Sequence, residues 1–293
     1  MWGTVNYFPK IFLLFLPAGK EQPVLSVLQH MGCAWKKFFT DCRLKLNTGL
    51  KFDWKRWGNL ILDMICPGEC PICNLLAYQE ERSYSCMPCL EKVAWIRGVK
   101  CKKCGTNMDA FPYEGLICSG CRDLEPSFER GMSMFRLDQL GEKLIHEIKY
   151  QGVKGVLNDM PIWLEFVPEF AEYIEGAVLI PVPLHPRKQR KRNFNQSKWI
   201  ADSLAKAIGG GTWVEDALVR IRMTKTQTKL DLSERRKNVK NAFALRQGNC
   251  LDIERRLILV DDVFTTGATL EACAQALLKG GFPKVEVATA GRK

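Results

Sequence analysis

The stretch that decides the fold runs Arg256-Leu257-Ile258-Leu259-Val260-Asp261-Asp262-Val263-Phe264-Thr265-Thr266-Gly267-Ala268-Thr269. It is followed by Leu270 to Lys279 at helical spacing, closed by Gly280 and Gly281. Four apolar residues in a row predict a strand, and the segment after the turn predicts a helix. Between them lie two adjacent carboxylates and a turn rich in threonine and glycine. In open α/β sheets, ligands sit at the carboxyl ends of strands. A helix start offers backbone amides and the positive end of its dipole, which suits a phosphate. Gly267 allows close backbone approach, and the hydroxyls of Thr265, Thr266 and Thr269 add donors. Asp261 and Asp262 together fit the vicinal hydroxyls of a ribose; the structural alternative is that one of them caps the helix.

Outward from this unit, strands and helices alternate. Gly131–Leu137 reads as a strand, Leu140–Tyr150 and Ile162–Ile174 as helices, and Ala177–Val182 as a buried strand. Gln196–Ile208 reads as a helix stopped by Gly209-Gly210-Gly211, Ala242–Leu245 as a short strand and Val285–Ala290 as the last strand. Such alternation predicts crossover units and a mostly parallel sheet flanked by helices.

The central stretch resembles the phosphoribosyl pyrophosphate (PRPP) signature of type I phosphoribosyltransferases: four apolar residues, two acids, two apolar residues, then Thr-Thr-Gly-x-Thr. The resemblance implies a type I phosphoribosyltransferase fold in which Asp261 and Asp262 hold the ribose hydroxyls. It also implies that Val260, Val263, Thr265, Thr266, Gly267, Ala268 and Thr269 complete the PRPP turn, with Mg²⁺ accompanying PRPP.

Two basic segments extend the site. Pro181-Val182-Pro183-Leu184 leads into His185 to Gln196, with five basic residues in the six positions 187–192. Such a cluster repels itself unless an anion neutralises it, and departing pyrophosphate is the natural candidate; a solvated loop and a nucleic-acid patch stay open as readings. The second segment runs from Arg220 to Val239 and reads as a mobile loop and a basic helix.

Together these segments resemble the ComF family of competence-associated and GntX-like phosphoribosyltransferases. The carrying residues are Pro181-Val182-Pro183, Arg192-Asn193-Phe194-Asn195-Gln196, Thr224 with Gln227, Arg235, Asn238-Val239, Ala242-Phe243, and Ile148-Lys149-Tyr150-Gln151-Gly152. The resemblance spans about Cys70 to the C-terminus. Asn193 departs from the family's usual Gly, and Asn tolerates positive φ better than most residues. On this resemblance Pro183, Arg187, Arg190, Arg192, Asn195 and Gln196 form a pyrophosphate loop. Thr224, Gln227, Arg235 and Asn238 form a flexible loop, and Arg222 joins Asp261 and Asp262 as a candidate catalytic residue. The implied activity is transfer of phosphoribosyl from PRPP to an unidentified acceptor with release of pyrophosphate, linked to DNA uptake. The alternative is a non-catalytic PRPP sensor or a factor handling single-stranded DNA alongside competence proteins.

Thirteen cysteines are present, and eight of them form four Cys-x-x-Cys pairs: Cys70/Cys73, Cys86/Cys89, Cys101/Cys104 and Cys118/Cys121. The pairs are separated by 12 residues in the first half and 13 in the second. Two such knuckles complete a tetrahedron of thiolates around Zn²⁺, so two structural zinc sites in sequence are expected. Interleaved ligation, iron and a disulfide or redox module stay open. Cys33, Cys42, Cys66, Cys250 and Cys273 read as core or surface thiols.

The expected organisation is an extension at 1–50, poorly ordered, a short amphipathic helix at 51–65, a double zinc ribbon at 66–125 and a phosphoribosyltransferase domain at 130–293. A net charge of +11 suits anionic partners. No apolar run reaches the roughly 20 residues of a membrane span, so no membrane insertion is expected. Paired metal-type cysteines indicate a reducing compartment, the cytoplasm.

Overall fold

The computed structural model describes residues 69–75, 83–108, 115–151, 154–222, 239–248 and 251–293. The chain divides into two units, Met1–Cys66 and Pro67–Lys293, and every described residue belongs to the second. The extension at 1–50, the helix at 51–65, the flexible-loop residues Thr224, Gln227, Arg235 and Asn238, and Cys33, Cys42, Cys66 and Cys250 lie outside the described residues.

In chain order the elements are α1 (Met87–Leu90), α2 (Ser119–Leu124), β1 (Gly131–Arg136), α3 (Gln139–His146), a π-helical turn (Glu147–Gln151) and a 3₁₀ turn (Lys154–Asp159). They continue with α4 (Met160–Phe166), α5 (Pro168–Ile174), β2 (Val178–Pro181), α6 (Pro186–Arg192), α7 (Gln196–Ile208), β3 (Trp213–Val214) and β4 (Leu218–Arg220). Last come β5 (Phe243–Leu245), β6 (Leu257–Phe264), α8 (Ala268–Lys279) and β7 (Glu286–Arg292).

The apolar run at 257–260 forms the middle of a five-stranded sheet ordered β1-β7-β6-β2-β3, with every pairing parallel. Both faces of β6 are covered, which is why the run is continuous rather than alternating. Ile258 and Val260 join a cluster with Leu144, Ile148, Trp163, Phe170, Ile200 and Leu204. Leu257 and Leu259 join a second cluster with Leu270, Ala274 and Leu277 of α8. Each fully buried leucine or isoleucine contributes about 2–3 kcal/mol.

Several elements differ from the sequence expectation. The helix expected at 162–174 is two helices, because Pro168 lacks an N–H and pushes Val167 to φ −137° and ψ 64°. The helix expected at 140–150 is α-helical only to His146 and then widens into the π-turn. The basic segment after β2, read as a loop, contains α6: Pro186 at its first position and straight-chain residues favour a helix. Asn193, at φ 60°, ends it in the left-handed region, the conformation for which Asn is suited. The short β3 and β4 escaped the reading; β4 pairs antiparallel with β5, with Arg220 opposite Phe243.

The cysteine-rich segment is part of both cores. Cys70, Ile72 and Leu90 enter the first cluster, and Cys101, Cys104, Cys121 and Phe128 the second. Asp159, fully buried, ties the first knuckle region to α4 by accepting from the backbone N–H of Tyr84 (2.7 Å) and Ser85 (2.8 Å). Gly105 (φ +65°) ties the second knuckle to β1, where a Cβ would stand 2.4 Å from the Gly131 carbonyl oxygen. No helix among the described residues is long and apolar enough to cross a membrane.

Replacing Asp159 with Ala leaves the buried Ser85 N–H and the part-buried Tyr84 N–H without their acceptor and is expected to destabilise the protein by about 1–3 kcal/mol. Urea unfolding checks this; a loss below about 0.5 kcal/mol would show that water replaces the carboxylate.

Candidate functional site

β6 continues through both acids to Phe264, so Asp261 and Asp262 stand inside the strand's last turns rather than on a loop. Asp261 lies opposite Thr289 of β7, and Pro181 of β2 pairs with Val260 one position earlier. The Val182 N–H donates to the Val260 carbonyl (2.9 Å), which starts the β2–α6 connection beside the two carboxylates. Asn195 holds that connection from both sides. Its Nδ2 donates to the Val182 carbonyl (3.1 Å), and its Oδ1 caps α7 by accepting from the Ser197 N–H (3.1 Å).

Ser197 is the contact that sequence reasoning missed. Its hydroxyl donates to Asp261 Oδ1 (2.8 Å), which also accepts from the Asp262 N–H (2.9 Å). Asp262 is 6% exposed, and Lys149 Nζ stands 3.0 Å from its Oδ2 as an ion pair without hydrogen-bond geometry. Asp261 keeps some exposure, yet burial pushes its carboxyl up to about 7; the Asp262 charge adds to the rise and the Ser197 hydroxyl opposes it. Arg220 of β4 and Cys273 of α8 act on Asp261 at longer range.

The turn that follows is shaped by Gly267, at φ +74°, where a Cβ would lie 2.7 Å from Phe264 Cζ and 3.0 Å from Leu124 Cδ2. Only glycine meets both demands. Thr265 is exposed, Thr266 and Thr269 are partly so, and Thr266 Oγ1 accepts from the Ala268 N–H (3.4 Å). α8 begins at Ala268, so its amide end faces the same turn. Val260 and Phe264 are buried and serve the core.

The pyrophosphate-loop candidates fall on and around α6. Pro183 lies just beyond β2; Arg187 and exposed Arg190 lie within α6; Arg192 Nη1 at its end donates to Gln196 Oε1 (3.3 Å). Beside them Phe194 stacks on Trp199 with centroids 4.0 Å apart. Arg222 is exposed, two residues beyond β4, whereas Arg220 is partly buried over the Phe243 ring, 5.2 Å from its centroid. Arg220 and Asp261 act on each other electrostatically.

The eight paired cysteines converge as two groups in sequence order, Cys70-Cys73-Cys86-Cys89 and Cys101-Cys104-Cys118-Cys121, and within each group all sulfurs lie within 4.8 Å of one another. Cys73 and Cys86 sulfurs are 3.8 Å apart, and those of Cys104 and Cys118 are 3.6 Å apart. A Zn–S length of about 2.3 Å implies tetrahedral edges of about 3.8 Å, so four-thiolate zinc fits both groups. Backbone amides support the sulfurs: the Cys86 N–H donates to Cys70 Sγ (3.4 Å) and the Cys118 N–H to Cys101 Sγ (3.3 Å). The two groups are sequential rather than interleaved, and Cys273 is a buried core thiol.

The second group adjoins the turn. Leu124 touches the space over Gly267, Phe128 meets Phe264 edge-on at 6.2 Å, and Ser127 donates from its N–H (2.8 Å) and hydroxyl (2.7 Å) to the Glu271 carboxylate on α8. Arg292 lies 4.2 Å from the Phe264 ring centroid.

Comparison with known proteins agrees with this arrangement. A family described as "Double zinc ribbon domain" matches residues 61–122. DNA utilization protein YhgH of Escherichia coli O157:H7 is 31% identical over 192 residues, covering 64% of this chain and 81% of that protein. The chain belongs to the ComF family. Competence protein F of Haemophilus influenzae is 27% identical over 70% of this chain and 95% of its own length. Competence protein ComFC of Bacillus subtilis (strain 168) is 27% identical over 71% and 82%. Among solved structures, a hypoxanthine phosphoribosyltransferase from Staphylococcus aureus is 13% identical over 52% of this chain and 65% of its own length, with a TM-score of 0.29.

Two outcomes are expected. Metal analysis of the purified ComF-family chain gives two zinc ions per chain, and Cys104→Ser leaves one; an unchanged count in that variant contradicts four-thiolate ligation. Because the folded-state value of Asp261 is raised from 3.8 to about 7, its contribution to stability is complete below the unfolded value and is lost as pH rises through about 7. Thermal unfolding of the free protein between about pH 5 and about pH 8 should show that decline, and Asp261→Asn should flatten it; an equal slope in both contradicts the assignment.

Proposed function

We propose that this ComF-family protein binds PRPP at the end of β6 and transfers its phosphoribosyl group to an acceptor, releasing pyrophosphate. The observation that carries the reading is the pair Asp261–Asp262 followed directly by a turn only glycine can make. The carboxylates suit the ribose 2′- and 3′-hydroxyls, and residues 265–269 with the amide end of α8 suit the 5′-phosphate. Mg²⁺ would arrive with the pyrophosphate of PRPP. In the reaction the bond from C1 to the pyrophosphate oxygen breaks as a bond from the acceptor nucleophile to C1 forms. The protein's part is positioning and charge stabilisation. Arg187, Arg190 and Arg192 supply cations for the leaving group, and Arg222 with the flexible-loop residues Thr224, Gln227, Arg235 and Asn238 closes over the site.

The family membership and the relatives' names, competence and DNA utilization, favour a role linked to DNA uptake. A second reading draws on the same names and on the Phe194–Trp199 stack beside basic α6: a factor that binds PRPP as a signal and handles single-stranded DNA, with competence proteins as partners. The zinc sites are structural in either reading, and the division of the chain into a ribbon at 66–125 and a transferase domain at 130–293 is part of the proposal, as is a cytoplasmic location.

Calorimetry of PRPP with Mg²⁺ into the zinc-loaded protein, beside an Asp261→Ala/Asp262→Ala variant, tests the reading. Binding by the wild type with a loss of at least about 100-fold in the variant is expected, since two charge-assisted hydrogen-bonding groups are removed. Equal binding by both, or none by either, rejects the ribose assignment. Pyrophosphate release in an acceptor screen supports transfer; PRPP binding without release in any screen supports the signalling role.

A further inference from the structure

The carboxylate pair has a cationic neighbour outside the PRPP turn. Lys149 lies in the π-helical turn Glu147–Gln151, and its side chain is only 24% exposed. Its Nζ is 3.0 Å from Asp262 Oδ2, an oxygen with no hydrogen-bond partner. A lysine covered to this extent gives up solvation and is stable only against a compensating charge. A π-turn widens the helix by one residue, costs hydrogen-bond geometry, and occurs often at functional sites. Here it lies between α3 and the 3₁₀ turn, where it brings Lys149 to the carboxyl end of β6.

The groups facing the pair come from five elements. Ser197 of α7 and the Asp262 N–H of β6 itself donate to Asp261 Oδ1. Arg220 of β4 and Cys273 of α8 influence Asp261 at longer range, and Lys149 of the π-turn contacts Asp262 while also favouring the charged form of Asp261. Two adjacent carboxylates resist double ionisation, yet the hydroxyls of a diol are bound most strongly by two ionised acceptors. A cation on one of them meets that need.

We propose that Lys149 is a positioning residue of the phosphoribosyl site: its ammonium holds Asp262 as a fixed carboxylate, so that the pair presents two acceptors to a vicinal diol. This deepens the ribose-binding reading of Asp261 and Asp262 and rests on it for its purpose. Lys149 acts through Asp262 and contacts neither the sugar nor the phosphates.

Two measurements on the full zinc-loaded chain test it, using Lys149→Met and the charge-retaining Lys149→Arg, each checked for native circular dichroism. The first needs no ligand: ¹³C-carboxyl titration of aspartate-labelled protein, with resonances assigned through Asp261→Asn and Asp262→Asn. Lys149→Met should move the transition of the pair upward by about a unit or more, while Lys149→Arg keeps it near the wild-type position. The second is the affinity for PRPP with Mg²⁺ against pH. Lys149→Met should bind about tenfold more weakly at pH 7 and recover towards about pH 9 as the pair ionises, and Lys149→Arg should follow the wild type. An unmoved carboxyl transition in Lys149→Met overturns the proposal. So does a loss of affinity equal at every pH, which would make Lys149 a direct phosphate ligand. If the wild type binds no PRPP, the functional reading fails by itself, and the ligand-free titration still decides the role of Lys149.

Discussion

Two adjacent carboxylates at the end of a strand buried on both faces set the terms for the rest of this structure. Taking Asp261 and Asp262 out of water costs several kcal/mol per ion unless nearby groups compensate. The compensation comes from separate parts of the chain: the Ser197 hydroxyl at the start of α7 and the Lys149 ammonium on the π-turn. Each requires its own local device. α7 is started by Asn195, which fixes Ser197, and the π-turn interrupts a helix that the sequence periodicity would have continued. A structural role alone gives no reason to keep such a pair, since apolar residues would serve the sheet at lower cost.

The same economy links the metal region to the turn. The second cysteine group contributes Cys101, Cys104 and Cys121 to the core cluster that contains Phe264 and α8. Leu124 then lies over Gly267, and Phe128 packs against Phe264 before it. A segment dense in Cys, Gly and Pro has little core of its own and needs cross-links. Here two metal-type clusters and the sheet support one another, so loss of metal from the second cluster would be felt at the turn as well as in the ribbon.

Much of this was legible in the sequence because the signals were strong and local. The run Leu257–Val260, the Asp-Asp pair and the Thr-Thr-Gly turn lie within a dozen residues, and the cysteine spacing marks four knuckles, whose sequential grouping only the fold decides. What stayed hidden depended on tertiary contacts or on weak periodicity. Ser197 looks like an ordinary first-turn residue until α7 is placed against β6. Lys149 belongs to the Ile148–Gly152 family motif, but nothing local indicates that it reaches Asp262. Arg220 gives no signal in the sequence because alternation along a three-residue strand is too short to read, and only the fold shows it partly buried over Phe243. The basic run 187–192 was read through its charge, whereas Pro186 and the straight-chain side chains made it helical.

The chemistry of this site depends on which part of the ligand the β6 turn holds. The most direct measurement is ³¹P spectroscopy of PRPP with Mg²⁺, in which the 5′-phosphate and the two pyrophosphate phosphorus nuclei give separate resonances. Titration with the zinc-loaded protein should broaden and shift the 5′-phosphate line, and Gly267→Val, which places a branched side chain in the turn, should abolish that effect. A 5′-phosphate line that stays sharp while the pyrophosphate lines respond would contradict the assignment of the turn and of the carboxylate pair beside it.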